Sequence, residues 1–256
     1  MSELHLYRSG SGPAVLWLHG YTMDSTVWRP MWDRLPGWTH IGVDLPGHGG
    51  SAPIPAGLTL TELAEQLAEI AEDTGARRVV ALSFGSMAAV QLAVQQPQLV
   101  ERLVVAAPTL AGTPNDAAAK VRYRQLALLY RMTGPGEQLA DLWMQSPPDI
   151  FKGTERHPEV RAALRAVVAR HSWAELGNRA MDGLTACRHT EDDLRAITAR
   201  TLVIVGDDDM PAFVRNGELL QATVPDCRLL TLLDSGHLPL LERPGAVASL
   251  IASHLN

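Results

Sequence analysis

One serine, three consecutive aspartates and one histidine stand in short loops of this 256-residue chain, in that order and each just after an apolar run. The serine is Ser83, in Ala81-Leu82-Ser83-Phe84-Gly85, where the run Val79–Leu82 enters a helical pattern at once. A turn that tight requires small residues two before and two after the serine, and Ala81 and Gly85 satisfy it. The aspartates are Asp207, Asp208 and Asp209 after Gly206, and the histidine is His237 in Asp234-Ser235-Gly236-His237. A serine hydroxyl is a weak nucleophile at its free pKa and needs an adjacent base. An imidazole can take its proton, and a carboxylate can hold the imidazole in the right tautomer. These residue types therefore point to attack of Ser83 on an acyl carbon. The residues alone leave open which of the three aspartates takes part. The oxyanion formed needs backbone N–H donors, and Phe84, opening the helix after the serine, is placed to supply one.

Such a set works only if a scaffold brings distant loops together. Strands are expected at Leu4–Tyr7, Ala14–Leu18, Thr39–Val43, Val79–Leu82, Leu103–Ala106, Thr201–Val205 and Arg228–Leu233, several of them continuously apolar, as strands buried on both faces should be. Helical patterns alternate with them. Thr59–Thr74 carries Leu60, Leu63, Ala64, Leu67, Ala68 and Ala71 on one stripe, with Thr59 and Glu62 spaced for a capping box, and Ser86–Gln96 is stopped by Pro97. The alternation predicts an α/β fold with a mostly parallel sheet flanked by helices. It breaks after Pro108. Residues 108–198 show helical patterns at Val121–Met132, Glu137–Met144, Val160–His171 and Trp173–Cys187. The expected organisation is a core of residues 1–107 and 199–256 with an inserted helical cap, 108–198, over the carboxyl ends of the strands, where such sheets place their sites.

Over nearly its whole length the chain resembles the α/β-hydrolase superfamily, in its serine-nucleophile branch. The matching stretches are Leu18-His19-Gly20-Tyr21, Val43-Asp44-Leu45-Pro46-Gly47-His48-Gly49-Gly50-Ser51, the Ser83 turn, Gly206 to Asp209, and Gly236-His237 followed by Glu242-Arg243-Pro244. The order serine, aspartate, histidine is that of the superfamily. The resemblance implies Asp209, three residues after the loop glycine, as the acid, and the Tyr21 backbone as the second oxyanion donor. It also marks departures: Ala81 replaces the usual glycine, and there is room for one strand rather than two before Ala14.

The function implied is a serine hydrolase, of esterase, thioesterase or lactonase type, that cleaves an ester, thioester or lactone of a small to medium organic acid through an acyl-enzyme. Enol-lactonase, carboxylesterase and menaquinone-pathway synthase relatives are the similar branches. Elimination or carbon–carbon cleavage with the same triad is one alternative, and a ligand-binding receptor of the same fold is another. Tyr123, Trp143, Met144 and Leu238 are candidates for the substrate pocket. The arginines Arg122, Arg124, Arg131, Arg161 and Arg165 are candidate anion contacts in the cap. His19 and His48 read as structural, and His157, His171 and His189 as surface or helix-end residues. No cofactor is implied, and no histidine pair has metal-ligand spacing.

Composition bounds the remaining classes. The net charge of −6 argues against sequence-independent nucleic-acid binding. Residues 108–200 hold 13 Lys and Arg against 11 Asp and Glu, while the rest holds 9 against 17. That contrast allows an acidic acyl carrier as partner beside a small-molecule acyl substrate. No apolar stretch approaches the roughly 18 residues of a membrane span. The start, Met1-Ser-Glu-Leu-His-Leu-Tyr-Arg, lacks a basic segment followed by an apolar run. With Cys187 and Cys227 read as free thiols, a cytoplasmic location is expected.

Overall fold

Seven apolar runs form strands in the computed structural model, which describes residues 4–113 and 117–256. They are β1 (Leu6–Gly10), β2 (Ala14–Leu18), β3 (Thr39–Val43), β4 (Arg78–Leu82), β5 (Arg102–Ala106), β6 (Arg200–Gly206) and β7 (Cys227–Leu232). Hydrogen bonding orders them β1-β3-β2-β4-β5-β6-β7. β1 is antiparallel to β3, and all other pairs are parallel. The helices, in chain order, are α1 (Arg29–Trp32), α2 (Leu60–Thr74), α3 (Phe84–Gln95), α4 (Ala117–Thr133), α5 (Glu137–Trp143), α6 (Pro158–Val168), α7 (Met181–Thr185), α8 (Glu191–Arg195), α9 (Pro211–Thr223), α10 (Pro239–Glu242) and α11 (Pro244–Leu255).

The continuous apolar runs are explained by burial on both faces. Side chains alternate across a strand. Leu16, Leu18, Val79, Ala81, Leu103, Val105, Val203 and Val205 therefore pack with α2, α3 and α9 on one side. Val15, Trp17, Val80, Leu82, Val104, Ala106, Leu202 and Ile204 pack with α1 and α11 on the other. Helix α2 starts at the expected capping box: Thr59 Oγ1 accepts the Glu62 N–H at 3.1 Å, and Glu62 Oε2 accepts the Thr59 N–H at 2.8 Å. A cap of this kind is typically worth about 1 kcal/mol.

Two expected elements lie elsewhere. The first strand covers Leu6–Gly10 rather than Leu4–Tyr7, because pairing with β3 from Leu6↔Val43 to Gly10↔Thr39 sets its limits, not apolar content. The helix expected over Trp173–Cys187 is a 3-10 turn, Ala174–Leu176, followed by α7. Trp173 sits at φ 58°, a left-handed conformation that starts no helix, and Asn178 Oδ1 accepts the Ala180 N–H at 2.9 Å in a competing turn.

Helices α4 to α8 all fall between β5 and β6, and α8 already packs on α3 and α9 of the body. His189, expected at the surface, is buried and ties this insertion together. Its Nδ1 accepts the Ala111 N–H at 3.2 Å, and its Nε2–H donates to Gln91 Oε1 at 3.0 Å. That arrangement requires a neutral ring, and burial lowers the His189 pKa from 6.5 to about 4. Below pH 6.5 the unfolded chain takes up a proton that the folded chain refuses. The stability present above pH 6.5 is therefore lost as pH falls towards 4, by about 3 kcal/mol from this residue. Chemical denaturation at pH 7 and pH 4.5 should show a smaller acid loss in His189→Asn than in the wild type. Equal losses would remove His189 as a cause.

Among the described residues no helix is long and apolar enough to cross a membrane, and both cysteines are free and half-buried.

Candidate active site

Strand β4 delivers Ser83 into a backbone conformation of φ 51° and ψ −118°, outside the ordinary regions for a residue with a side chain. Such strain persists only where the surroundings over-determine it. Here β4 ends on one side, α3 begins on the other, and the Ser83 N–H is held by Ala106 O at 2.9 Å. Gly85 shows why the turn needs a glycine: a Cβ there would lie 2.5 Å from His19 O and 2.6 Å from Leu18 O. Ala81, where the family's pattern has glycine, is fully buried within β4.

The loops after β6 and β7 meet at Gly206, whose absent Cβ would lie 2.2 Å from both the Ser235 and Gly236 carbonyls. Their contact brings Asp209 and His237 together. His237 Nδ1 lies 2.9 Å from Asp209 Oδ1. A carboxylate only accepts, so Nδ1 carries the proton and Nε2 is the free base. Ser83 Oγ is 2.8 Å from that Nε2. The other two aspartates serve elsewhere. Asp207 Oδ1 accepts the Ser235 N–H at 3.0 Å, and exposed Asp208 pairs with Arg156 at 2.6 Å.

Glu242 frames the histidine loop. This buried carboxylate accepts the Gly236 N–H at 2.7 Å, the Leu238 N–H at 3.1 Å and the Ser235 hydroxyl at 3.2 Å. The amides on both sides of His237 are thus fixed by one side chain. Phe213, at the start of α9, lays its ring 4.1 Å from the His237 ring.

Phe84 is the first residue of α3, so its N–H has no intrahelical acceptor. Tyr21 lies in the turn after β2, next to Gly20, whose added Cβ would sit 3.6 Å from Ser83 Cβ. His19 holds the base of that turn: its Nε2 accepts the Leu45 N–H at 3.0 Å, and its Nδ1–H donates to Gly20 O at 2.8 Å. Burial lowers the His19 pKa, which keeps that accepting nitrogen free. His48 is likewise buried, with a pKa driven well below its ordinary value by desolvation.

A cavity of about 560 Å³ opens above Ser83. Tyr21 and Phe84 line it from the body, Tyr123 and Trp143 from α4 and α5, and Leu238 from the histidine loop. Met144, expected beside them, is not on the wall. It follows the last residue of α5, about 100° around the axis from Trp143, and packs into the core. Glu175 also lines the cavity, a residue that composition would place on a solvated helix face. Its partner His171 is buried rather than exposed. Three of the five candidate anion-binding arginines are already engaged. Arg122 donates to the carbonyls of Leu142 and Pro147, Arg161 to those of Phe151 and Met144, and Arg165 pairs with Glu137 and Asp141. Among the described residues no group of three or more metal-ligating side chains gathers.

Comparison with known proteins agrees with this architecture. The model of the alpha/beta hydrolase family matches residues 15–250. A pimeloyl-[acyl-carrier protein] methyl ester esterase from Yersinia pseudotuberculosis is 27% identical over 260 residues, covering 98% of this chain and 96% of its own. A thermophilic esterase from Thermogutta terrifontis superposes with a TM-score of 0.82 at 28% identity, over 98% of this chain and 92% of that one. The enol-lactonase from Burkholderia xenovorans has the same fold, with a TM-score of 0.81 at 23% identity, over 99% and 96% of the two chains.

Proposed function

Since the chain belongs to the alpha/beta hydrolase family, we propose that it is a serine hydrolase that cleaves an ester, thioester or lactone of a small to medium organic acid through an acyl-enzyme. The observation that carries this reading is the unbroken relay from Ser83 Oγ to His237 Nε2 at 2.8 Å and from His237 Nδ1 to Asp209 Oδ1 at 2.9 Å, with Ser83 lining the cavity.

The reaction follows from the positions of the groups. Ser83 Oγ attacks the acyl carbon as its proton passes to His237 Nε2. The carbonyl oxygen becomes an oxyanion facing the amides of Tyr21 and Phe84, each donor worth about 3 kcal/mol in the transition state. Asp209 stabilises the imidazolium. The intermediate collapses, and the leaving alcohol or thiol departs with the proton from Nε2. Water then repeats the sequence on the acyl-enzyme and releases the acid. The mostly apolar wall suits a hydrocarbon acyl chain, and a cavity of this size holds one of medium length.

An acyl carrier as leaving group has its own support. Helix α4 contains no acidic residue, and its outer face carries exposed Val121, Leu128 and Met132 flanked by exposed Lys120, Arg124 and Arg131. Its inner face sends Tyr123 to the cavity. An apolar ridge with a basic flank beside the cavity suits an acidic, helical carrier, and the Yersinia relative is named for a carrier-bound ester. The test compares one medium-length acyl group presented as a p-nitrophenyl ester, a simple thioester and a carrier-bound ester. Ester or thioester turnover should appear, with the fastest rates at medium chain length. Arg124→Glu/Arg131→Glu should lower kcat/KM about tenfold or more on the carrier substrate and leave the small ester unchanged. Equal loss on both substrates would remove the carrier reading. No turnover of any acyl substrate would move the receptor and carbon–carbon lyase readings ahead.

A further inference from the structure

The turn that presents the Tyr21 amide is gripped twice by the helical insertion. The Tyr21 hydroxyl donates to Glu175 Oε1 at 2.6 Å. The same oxygen accepts from His171 Nε2–H at 2.8 Å, and both His171 and Glu175 are buried. Burial alone would raise the Glu175 pKa. The bonds from His171 and Tyr21 outweigh it, so Glu175 sits below its ordinary value and accepts as a carboxylate. Tyr21 is pushed well above its ordinary pKa, first by desolvation and then by the Glu175 charge, so it remains a donor. The second grip acts on the following peptide. Trp143 Nε1–H donates to Thr22 Oγ1 at 2.9 Å, and that hydroxyl donates to Tyr21 O at 2.6 Å.

The turn needs such support. Thr22 sits at φ 64°, a strained position for a β-branched residue. The Tyr21 ring itself crosses from body to insertion, edge-on to Phe84 on one side and to Tyr123, Trp143 and Trp173 on the other. An oxyanion donor is effective only when aimed before the reaction, because a donor that must reorient pays that cost in the barrier. Resting on the hydrolase reading above, we propose that Glu175, braced by His171, is a positioning residue. It holds the Tyr21 hydroxyl so that the Tyr21 amide points at the developing oxyanion, with Trp143 acting on the same turn through Thr22. The packing of the insertion on the body and the aim of the Tyr21 amide are thereby linked.

The test uses Tyr21→Phe, Glu175→Leu, their double variant and Trp143→Phe in the full-length protein. Substrate is a p-nitrophenyl ester, and a trifluoromethyl ketone that adds to the serine as an oxyanion serves as transition-state mimic. Tyr21→Phe and Glu175→Leu should each lower kcat about 10- to 100-fold with KM within about twofold, since the interaction is made in the transition state. Ketone affinity should fall in parallel with kcat, while affinity for the product acid holds. The double variant should be no worse than the poorer single, because both cut one link. Trp143→Phe should lower kcat and ketone affinity in the same way, which keeps the test valid if Glu175→Leu fails to fold. Multiplying losses in the double variant, or unchanged kcat and ketone affinity in Tyr21→Phe and Trp143→Phe, would overturn the proposal and leave the hydrolase reading standing. A wild type that turns over no ester and does not bind the ketone would overturn both.

Discussion

Ser83→Ala should abolish ester turnover, with kcat falling by about 10⁴-fold or more, while the melting temperature stays within a few degrees of the wild type. The size follows from the role. In the proposed mechanism, loss of Oγ removes the acyl-enzyme, and what remains is whatever rate the oxyanion donors and binding give to direct attack by water. Fold stability should be spared because the strained backbone of residue 83 is set by β4 and α3, not by the hydroxyl. Oγ itself bonds to His237, whose ring remains anchored by Asp209 and packed on Phe213. Steady-state kinetics on the substrate found best for the wild type, with a thermal melt alongside, make the check. Residual turnover above about one per cent in a homogeneous preparation would rule Ser83 out as the nucleophile.

Asp209→Asn should cost about 10³- to 10⁴-fold in kcat. Oδ1 of Asp209 receives both the His237 Nδ1–H, at 2.9 Å, and the Met210 N–H, at 2.7 Å. An asparagine oxygen in the same place accepts both bonds only with its NH2 at the buried, unpartnered Oδ2 position, and the flipped amide, donating to His237 Nδ1, enforces the wrong tautomer. Lost in either case is the negative charge that, in the proposed mechanism, stabilises the imidazolium. The variant therefore removes the charge and the control of the His237 tautomer together. Asp208→Asn is the matched control. Its pairing with Arg156 is exposed, such surface pairs contribute little, and kcat should stay within about twofold. A comparable loss in Asp208→Asn would reassign the acid.

The relay was legible in the sequence because its constraints are local. Each member follows a strand whose apolar run is unmistakable, and the Ser83 turn announces itself by needing Gly85. The family resemblance points to Asp209 among three adjacent acids, and in the structure Asp209 is the one that meets His237, while Asp207 and Asp208 bond to Ser235 and Arg156. Long-range partners left no such trace. Glu175 and Tyr21 are 154 positions apart, and nothing in a helical pattern distinguishes a glutamate facing a cavity from one facing water. His171 and His189 were hidden for the same reason: their burial depends on how the insertion folds back. Met144 failed as a wall residue through helix phase alone, since one step along α5 rotates a side chain about 100°. Glu242 stood in the sequence as part of a motif, yet its grip on the amides of Gly236 and Leu238 required the loop to be built.

The central claim is that Ser83 is an activated nucleophile, and covalent labelling tests it most directly. The wild-type protein would be treated with a fluorophosphonate, digested, and mapped by mass spectrometry, with Ser83→Ala treated in parallel. A single phosphonate adduct on Ser83, absent from the variant and matched by loss of ester turnover, is the expected result. An adduct on another residue, or an unlabelled Ser83 in a protein that still hydrolyses esters, would contradict it.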